Sequence, residues 1–213
     1  MELINPVAEQ YAETYTTNDD ALLQRVYDET KASHPHGHMV SGVVQGRFLS
    51  ILSELLQPKF VLEIGTFTGF SALCLAKGLK KDGELHTIEL READAATSRK
   101  NFGLSKWNNQ IHLHAGNALD IIPGLPYEWD MVFIDADKTS YIDYYELVVP
   151  RLKENGLIIA DNILFHGQVL EQQLKGKNAV AMHDFNKHVA ADTRTYQVVL
   201  TLRDGLMLIK KRN

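Results

Sequence analysis

Apolar positions fall into two rhythms along this chain, and the change from one to the other comes near Pro58. Before it, apolar residues recur with the period of a helix. The first forty residues read as two helices, with Asn18 or Asp19 capping the second and Leu22, Leu23 and Val26 sharing one of its faces. "SHPHGHM" follows as a loop broken by Pro35 and Gly37. "GRFLSILSELL" then forms a further amphipathic helix that stops near Pro58.

After Pro58 short apolar runs alternate with helical stretches. "FVLEIG" (60–65) leads to "GFSALCLAKGLKK", "ELHTIEL" (84–90) to "READAATSRKNF", and "QIHLHAG" (110–116) to a short helix near Leu119. "DMVFIDA" (130–136) precedes "SYIDYYELVVPRLK", and "GLIIADN" (156–162) precedes a loop and the helix "VAMHDFNKHVAA". Strands alternating with helices imply right-handed crossovers and a parallel sheet covered on both faces. The final runs, "YQVVLTL" and "LMLIKK", are separated only by "RDG", a hairpin turn, so the last strand must run antiparallel. The prediction is an α/β fold with a mostly parallel sheet, helices on both faces and an antiparallel C-terminal hairpin strand.

Composition narrows this picture without redirecting it. The 213 residues suit one domain, residues 1–213, with a helical segment over 1–57 and the alternating core over 58–213. Apolar residues make up 45% and charged residues 23%, an ordinary globular balance. The net charge of −5 steers the chain toward neither nucleic acid nor an anionic membrane. "MELINPVAEQYAETY" has no basic segment before an apolar core, so it is not read as a secretory signal, and no apolar stretch reaches the roughly 20 residues that span a bilayer. Cys74 is the only cysteine, compatible with a cytoplasmic location, and its apolar neighbours in "SALCLAKGL" mark it as a buried small hydrophobe.

Ligands of open α/β sheets bind beyond the carboxyl ends of the strands. There the first strand ends in Glu63, Ile64 and Gly65, and a G-x-x-x-G spacing to Gly69 leads into a helix. This is neither the G-x-G-x-x-G of a pyrophosphate site nor a lysine-bearing P-loop. Glu89, ending the second strand, is placed to accept hydrogen bonds from both hydroxyls of a ribose. Gly116, Asn117 and Ala118 close the third strand and leave room for a flat base. Together they point to a nucleoside-type cofactor; the bland reading of each alone is a tight turn or a surface acid.

The fourth and fifth strands run from apolar interiors into acids. As neighbours about 4.8 Å apart, they bring Asp135 and Asp161 to one edge, with Asn162 beside them. Two carboxylates and an amide oxygen form a hard donor set for Mg2+, Mn2+ or Ca2+, although each Asp could instead cap the helix that follows. Lys138 opens a helix, where the dipole disfavours a cation, and a nearby dication would lower its pKa further. Such a lysine can accept a proton or hold an incipient oxyanion; its bland reading is a solvated partner of Asp135 or Asp137. His34, His36 and His38 lie in a loop better suited to a lid contact with substrate than to structural zinc. His112 and His114 alternate as the exposed face of a strand would, and Asp184 with His188 reads as a helical surface pair.

In "VLEIGTFTGFSAL", "FIDADKTSYIDYY", "ADNILFHG" and the closing hairpin, the chain from about Met39 onward resembles the cation-dependent class I S-adenosylmethionine O-methyltransferases, the group of the caffeoyl-CoA and catechol enzymes. The resemblance implies a Rossmann-like methyltransferase fold of seven strands, the last antiparallel, and a homodimer with the N-terminal helices as candidate contacts. It implies that Glu63, Gly65, Thr66 and Ser71 surround the methionine part of the cofactor, that Glu89 holds the ribose, and that Ala118 lies by the adenine near Gly116. Met39 and Ser41 match positions near the sulfonium, and Asp137 one near the cofactor. Asp135, Asp161 and Asn162 match the metal ligands, and Lys138 the proposed base. Phe165 stands where the family often has Trp; His166 and His38 are candidate substrate contacts. The acidic N-terminus lacks the basic residues that would grip coenzyme A phosphates, so the expected acceptor is a small vicinal diphenol. The rival readings are an S-adenosylmethionine-binding module without catalysis and a nicotinamide dehydrogenase.

Overall fold

The computed structural model describes residue 3, residues 5–17 and residues 20–212. Asn18 and Asp19 lie outside the described residues; the cap of the second helix is Asp20, whose side chain accepts from the Leu23 amide. Helix α1 (Pro6–Tyr15) starts at Asn5, which accepts from Val7, and buries none of its residues. Helix α2 (Ala21–Ser33) buries Leu23 and Val26 on the expected face, together with Thr30. A single 3-10 turn over Gly37–Met39 leads to α3 (Val43–Leu56), which ends where Gln57 turns left-handed ahead of Pro58.

The alternating part follows as β1 (Phe60–Ile64), α4 (Phe70–Ala76), β2 (Glu84–Glu89), α5 (Glu92–Gly103), β3 (Ile111–Ala115), α6 (Ala118–Ile121), β4 (Trp129–Ile134), α7 (Tyr141–Val148), β5 (Leu152–Asp161), α8 (Lys177–Ala191), β6 (Thr195–Leu200) and β7 (Leu206–Lys211). The strands form one sheet of seven in the order β3-β2-β1-β4-β5-β7-β6. Strands β1 to β5 pair in parallel, while β7 runs antiparallel to both β5 and β6. The helix-free "RDG" connection forces that reversal.

Alternation along the strands sends successive side chains to opposite faces and creates two apolar layers. Val61, Met131, Phe133 and Ile159 pack with Leu49 of α3, Leu73 of α4 and Phe102 of α5. Leu62, Ile64, Val132, Ile134 and Ile158 pack with Tyr145 of α7 and Phe185 of α8. Burial on both faces is why these strands read as continuous apolar runs rather than alternating ones.

Several boundaries differ from the expectation, most of all the ends of α4 and α7 and the start of β5. Helix α4 stops at Ala76, short of the predicted Lys81, because Gly78 lies against α3: a Cβ there would stand 2.0 Å from the Ser53 carbonyl carbon. Helix α7 stops at Val148, since Pro150 lacks an N–H and its ring crowds the preceding turn. Strand β5 therefore begins at Leu152 rather than 156, and its register against β4 shifts between the Trp129–Leu152 and Met131–Leu157 pairs.

Candidate active site

The loops that follow β1 to β5 open onto one cavity of about 960 Å3, and of the residues matched to cofactor, metal, base and substrate positions all but one line it, whereas His34 and His36 of the expected lid do not. Gly65, at φ 99°, is where the chain turns from β1 toward α4. A Cβ on it would come 2.0 Å from the Asp135 carbonyl oxygen, so only glycine lets these two strand ends approach. Thr66 and Ser71 line the wall beside it.

Glu63 is the exception. Its side chain is fully buried and does not reach the cavity. Thr87 donates to its Oε2 at 2.5 Å, Thr66 and Thr87 share a hydroxyl–hydroxyl bond of 2.5 Å, and its Oε1 has no hydrogen-bonded partner. Burial pushes its pKa up to about 8, against the hydroxyls of Ser71 and Thr87 and reinforced by the charges of Asp135 and Glu89. It sits behind the wall and steadies Thr66 through Thr87.

Glu89 is held in place by backbone: its Oε2 accepts from Phe67 N at 2.7 Å and its Oε1 from Arg91 N at 2.9 Å. Each oxygen keeps a lone pair for a ligand hydroxyl. Gly116, Asn117 and Ala118 border the same space, with Asn117 capping α6 through the Leu119 amide. From the N-terminal segment, His38, Met39 and Ser41 complete that side.

The acidic rim is assembled from β4, β5 and three more distant segments. Lys138 donates to Asp135 Oδ1 at 2.8 Å and to Tyr141 Oη at 2.9 Å. Burial pulls the Lys138 pKa down, but the charge of Asp135 and the contact with Tyr141 outweigh it, so its net pKa is raised. The expected lowering belongs to a site that holds a dication; the side chains by themselves, with Asp135 in direct contact, favour the ammonium. Asp161 Oδ2 accepts from Gln45 at 2.6 Å and Oδ1 from the Asn162 amide at 2.6 Å. Burial, then the Asp135 charge, push the Asp161 carboxyl up to about 7. Asn162 adopts a left-handed φ of 58° and gives its side-chain nitrogen to Asp204 at 3.3 Å. Buried Asp161, made hard to ionise in part by the charge of half-buried Asp135, forms with it and Asn162 a donor set whose repulsion a hard dication relieves, so these residues fit one. Asp137 also lines the cavity and accepts from Ser140 at 3.3 Å and from Thr139.

Phe165 and His166, both left-handed, border the outer mouth, where the His166 amide donates to Asp204 at 2.5 Å. Gln45, Tyr141 and Asp204 are the residues that the sequence did not reveal. Gln45 reads as a polar position in a helix and Asp204 as turn chemistry; only the fold brings them to Asp161 and Asn162. Elsewhere, His188 bonds Glu146 at 2.7 Å rather than pairing with Asp184, and His34 bonds Asp94 at 2.9 Å. His112 and His114 are half-buried beside a buried His86, not a fully exposed face.

Comparison with known proteins agrees with this geometry. Residues 13–212 match the family model described as O-methyltransferase. A catechol O-methyltransferase from Niastella koreensis is 34% identical over 188 residues, which cover 86% of this chain and 84% of that protein. A caffeoyl-CoA O-methyltransferase from Eucalyptus globulus is 31% identical over 195 residues, covering 86% and 79%. Among solved structures, an SAH-bound methyltransferase from Podospora anserina superposes with a TM-score of 0.90 at 25% identity, covering 98% of this chain and 95% of that one. An O-methyltransferase from Bacillus cereus in complex with SAH superposes with a TM-score of 0.88 at 26% identity, covering 97% of each.

Proposed function

The chain belongs to the O-methyltransferase family, and on that premise we propose that it transfers the methyl of S-adenosylmethionine to one hydroxyl of a small vicinal diphenol with the help of a divalent cation. The observation that carries the reading is that Glu89, Asp135, Lys138, Asp161 and Asn162 share one cavity. Family membership sets aside the nicotinamide and non-catalytic alternatives.

When bound, S-adenosylmethionine supplies a methyl activated by a sulfonium. Glu89 holds both ribose hydroxyls with its free lone pairs, and Ala118 and Gly116 flank the adenine. Gly65, Thr66, Ser71 and Asp137 hold the methionine end, with Met39 and Ser41 near the sulfonium and Glu63 keeping Thr66 in place from behind.

A phenol of pKa ~10 is ionised in roughly one molecule per thousand at pH 7, a deficit of ~4 kcal/mol. Asp135, Asp161 and Asn162 would hold Mg2+, or Mn2+ or Ca2+ in its place, and a bound cation supplies stabilisation of the phenolate. Lys138 enters as an ammonium fixed between Asp135 and Tyr141, and so as a donor to the incipient oxyanion. Gln45 fixes Asp161 from below, and Asp204 orients Asn162. Phe165, His166 and His38 border the acceptor.

The proposal takes residues 1–213 as one domain, the helical segment over 1–57 preceding the core over 58–213 in sequence, and includes a homodimer through the N-terminal helices. Helix α1 supports it: Val7, Tyr11 and Tyr15 are exposed, and no residue of α1 is buried. A cytoplasmic location completes the reading, supported by a sequence whose single cysteine, the buried Cys74, leaves no second cysteine for an internal disulfide. Among the described residues no helix is long and apolar enough to cross a membrane.

The experiment is turnover on a panel of catechols before and after chelation, with adenosylhomocysteine binding followed by calorimetry. Turnover should fall on chelation and return with Mg2+ while adenosylhomocysteine binding persists. Full activity after thorough metal removal overturns the cation's part, and absence of adenosylhomocysteine binding overturns the whole reading.

A further inference from the structure

At the opposite ends of β2 and β3 from this cavity lies a second group of ligating side chains. Glu84, His86 and His112 bring one carboxylate oxygen and two ring nitrogens within 4.8 Å of one another. Strand alternation puts residues 84 and 86 on one face of β2, and the parallel register sets His112 directly beside His86.

The spacing fits a shared metal as well as it fits pairwise contacts with Glu84. Glu84 Oε2 stands 3.1 Å from His86 Nε2 and 3.6 Å from His112 Nε2. Donors held 2.0–2.1 Å from a tetrahedral ion are themselves roughly 3.3–3.4 Å apart, and the two observed distances bracket that value. A hydrogen bond between His86 and Glu84 accounts for that pair alone. It does not account for His112, too far from Glu84 to share a proton yet within the span of a common ion.

The surroundings support the same assignment. His86 Nδ1 lies 3.1 Å from His114 Nε2, the outer hydrogen bond that fixes a ligating imidazole with its Nε2 free for metal. Tyr127 donates to Glu84 Oε2 at 3.1 Å and anchors the carboxylate. The His86 side chain is 5% exposed, against 36% for Glu84 and 43% for His112, which leaves an outward position for water.

We propose that Glu84, His86 and His112 form a binding site for a borderline-soft divalent transition metal of the Zn2+ class, which clasps the edge strand β3 to β2. Two imidazoles and one carboxylate favour such ions over Mg2+, whereas the oxygen-only rim favours Mg2+. The five residues from Glu84 to Glu89 separate the cluster from the cofactor end of the same strand by about 16 Å at ~3.3 Å per residue. The two sites are therefore distinct in place and in chemistry.

The test uses the untagged full chain, stripped with chelator and titrated with Co2+ in excess Mg2+, read by visible absorption and by metal content. One Co2+ per chain with the absorption of a low-coordinate nitrogen–oxygen site is expected, and Zn2+ should displace it. His112→Ala and Glu84→Gln should each weaken binding about tenfold or more, while Asp161→Asn leaves it unchanged. Unaltered circular dichroism of His112→Ala shows that the loss is not unfolding, and its Mg2+-supported methyl transfer should match the parent. Failure of the parent to retain Co2+, parental affinity in both cluster variants, or loss of Co2+ in Asp161→Asn overturns the assignment.

Discussion

Glu63 shows how burial of a single carboxyl reaches the stability of the whole chain. Its folded pKa of about 8 lies above the ordinary 4.5. Between those values the folded chain keeps a proton that the unfolded chain has lost, so the contribution is full below about 4.5 and gone above about 8. Glu63→Gln retains an acceptor for Thr87 but cannot ionise. Its melting temperature should fall less than the parent's as pH rises from about 5 to 8, by about 2–4 °C for each kcal/mol removed from the slope. Asp161 titrates in the same sense in both proteins, so the difference between the two curves isolates Glu63. At Lys138 the direct contact with Asp135 predicts a cation rather than a base. Lys138→Ala should lower kcat by roughly 10²–10³ with adenosylhomocysteine affinity preserved, and Lys138→Arg should recover part of that loss. Equal losses in the two variants would restore the proton-acceptor role.

At the scale of elements, the strands were legible because burial on both faces wrote them as unbroken apolar runs. Helix ends were less so. Gly78 carries no local sign that it faces the Ser53 backbone, since that contact belongs to a different helix. Gly78→Ala should push α4 away from α3 and cost about 1–3 kcal/mol, seen as a lower urea midpoint with little change in slope. The stop ahead of Pro150 follows from proline chemistry, which the stretch read as helix through Lys153 leaves out of account.

For the whole molecule, Asp135, Asp161, Asn162 and Lys138 could be found in the sequence because an apolar strand has no packing reason to end in charge. Gln45 could not, because its meaning depends on Asp161, 116 positions away. The Glu84 cluster escaped for the same reason: three residues on two strands form no sequence motif. Assembly is the other property at this scale. Tyr11→Ser combined with Tyr15→Ser should shift the mass measured by light scattering from dimer to monomer with the melting curve nearly unchanged; a monomeric parent would remove α1 from consideration as a contact.

Strand β7, the seventh of the seven in sequence order, sits inside the sheet between β5 and β6, and its Leu206 pairs with Asp161. Synthesis is vectorial, so a ribosome delivers the first six strands before the one that joins two of them. Until β7 emerges, the flank of β5 that carries Asp161 stays open and β6 has no neighbour. The strand that carries Asp161 is therefore secured on both sides only once β7 has emerged, and a nascent chain halted ahead of Leu206 leaves Asp161 without its neighbour in the sheet.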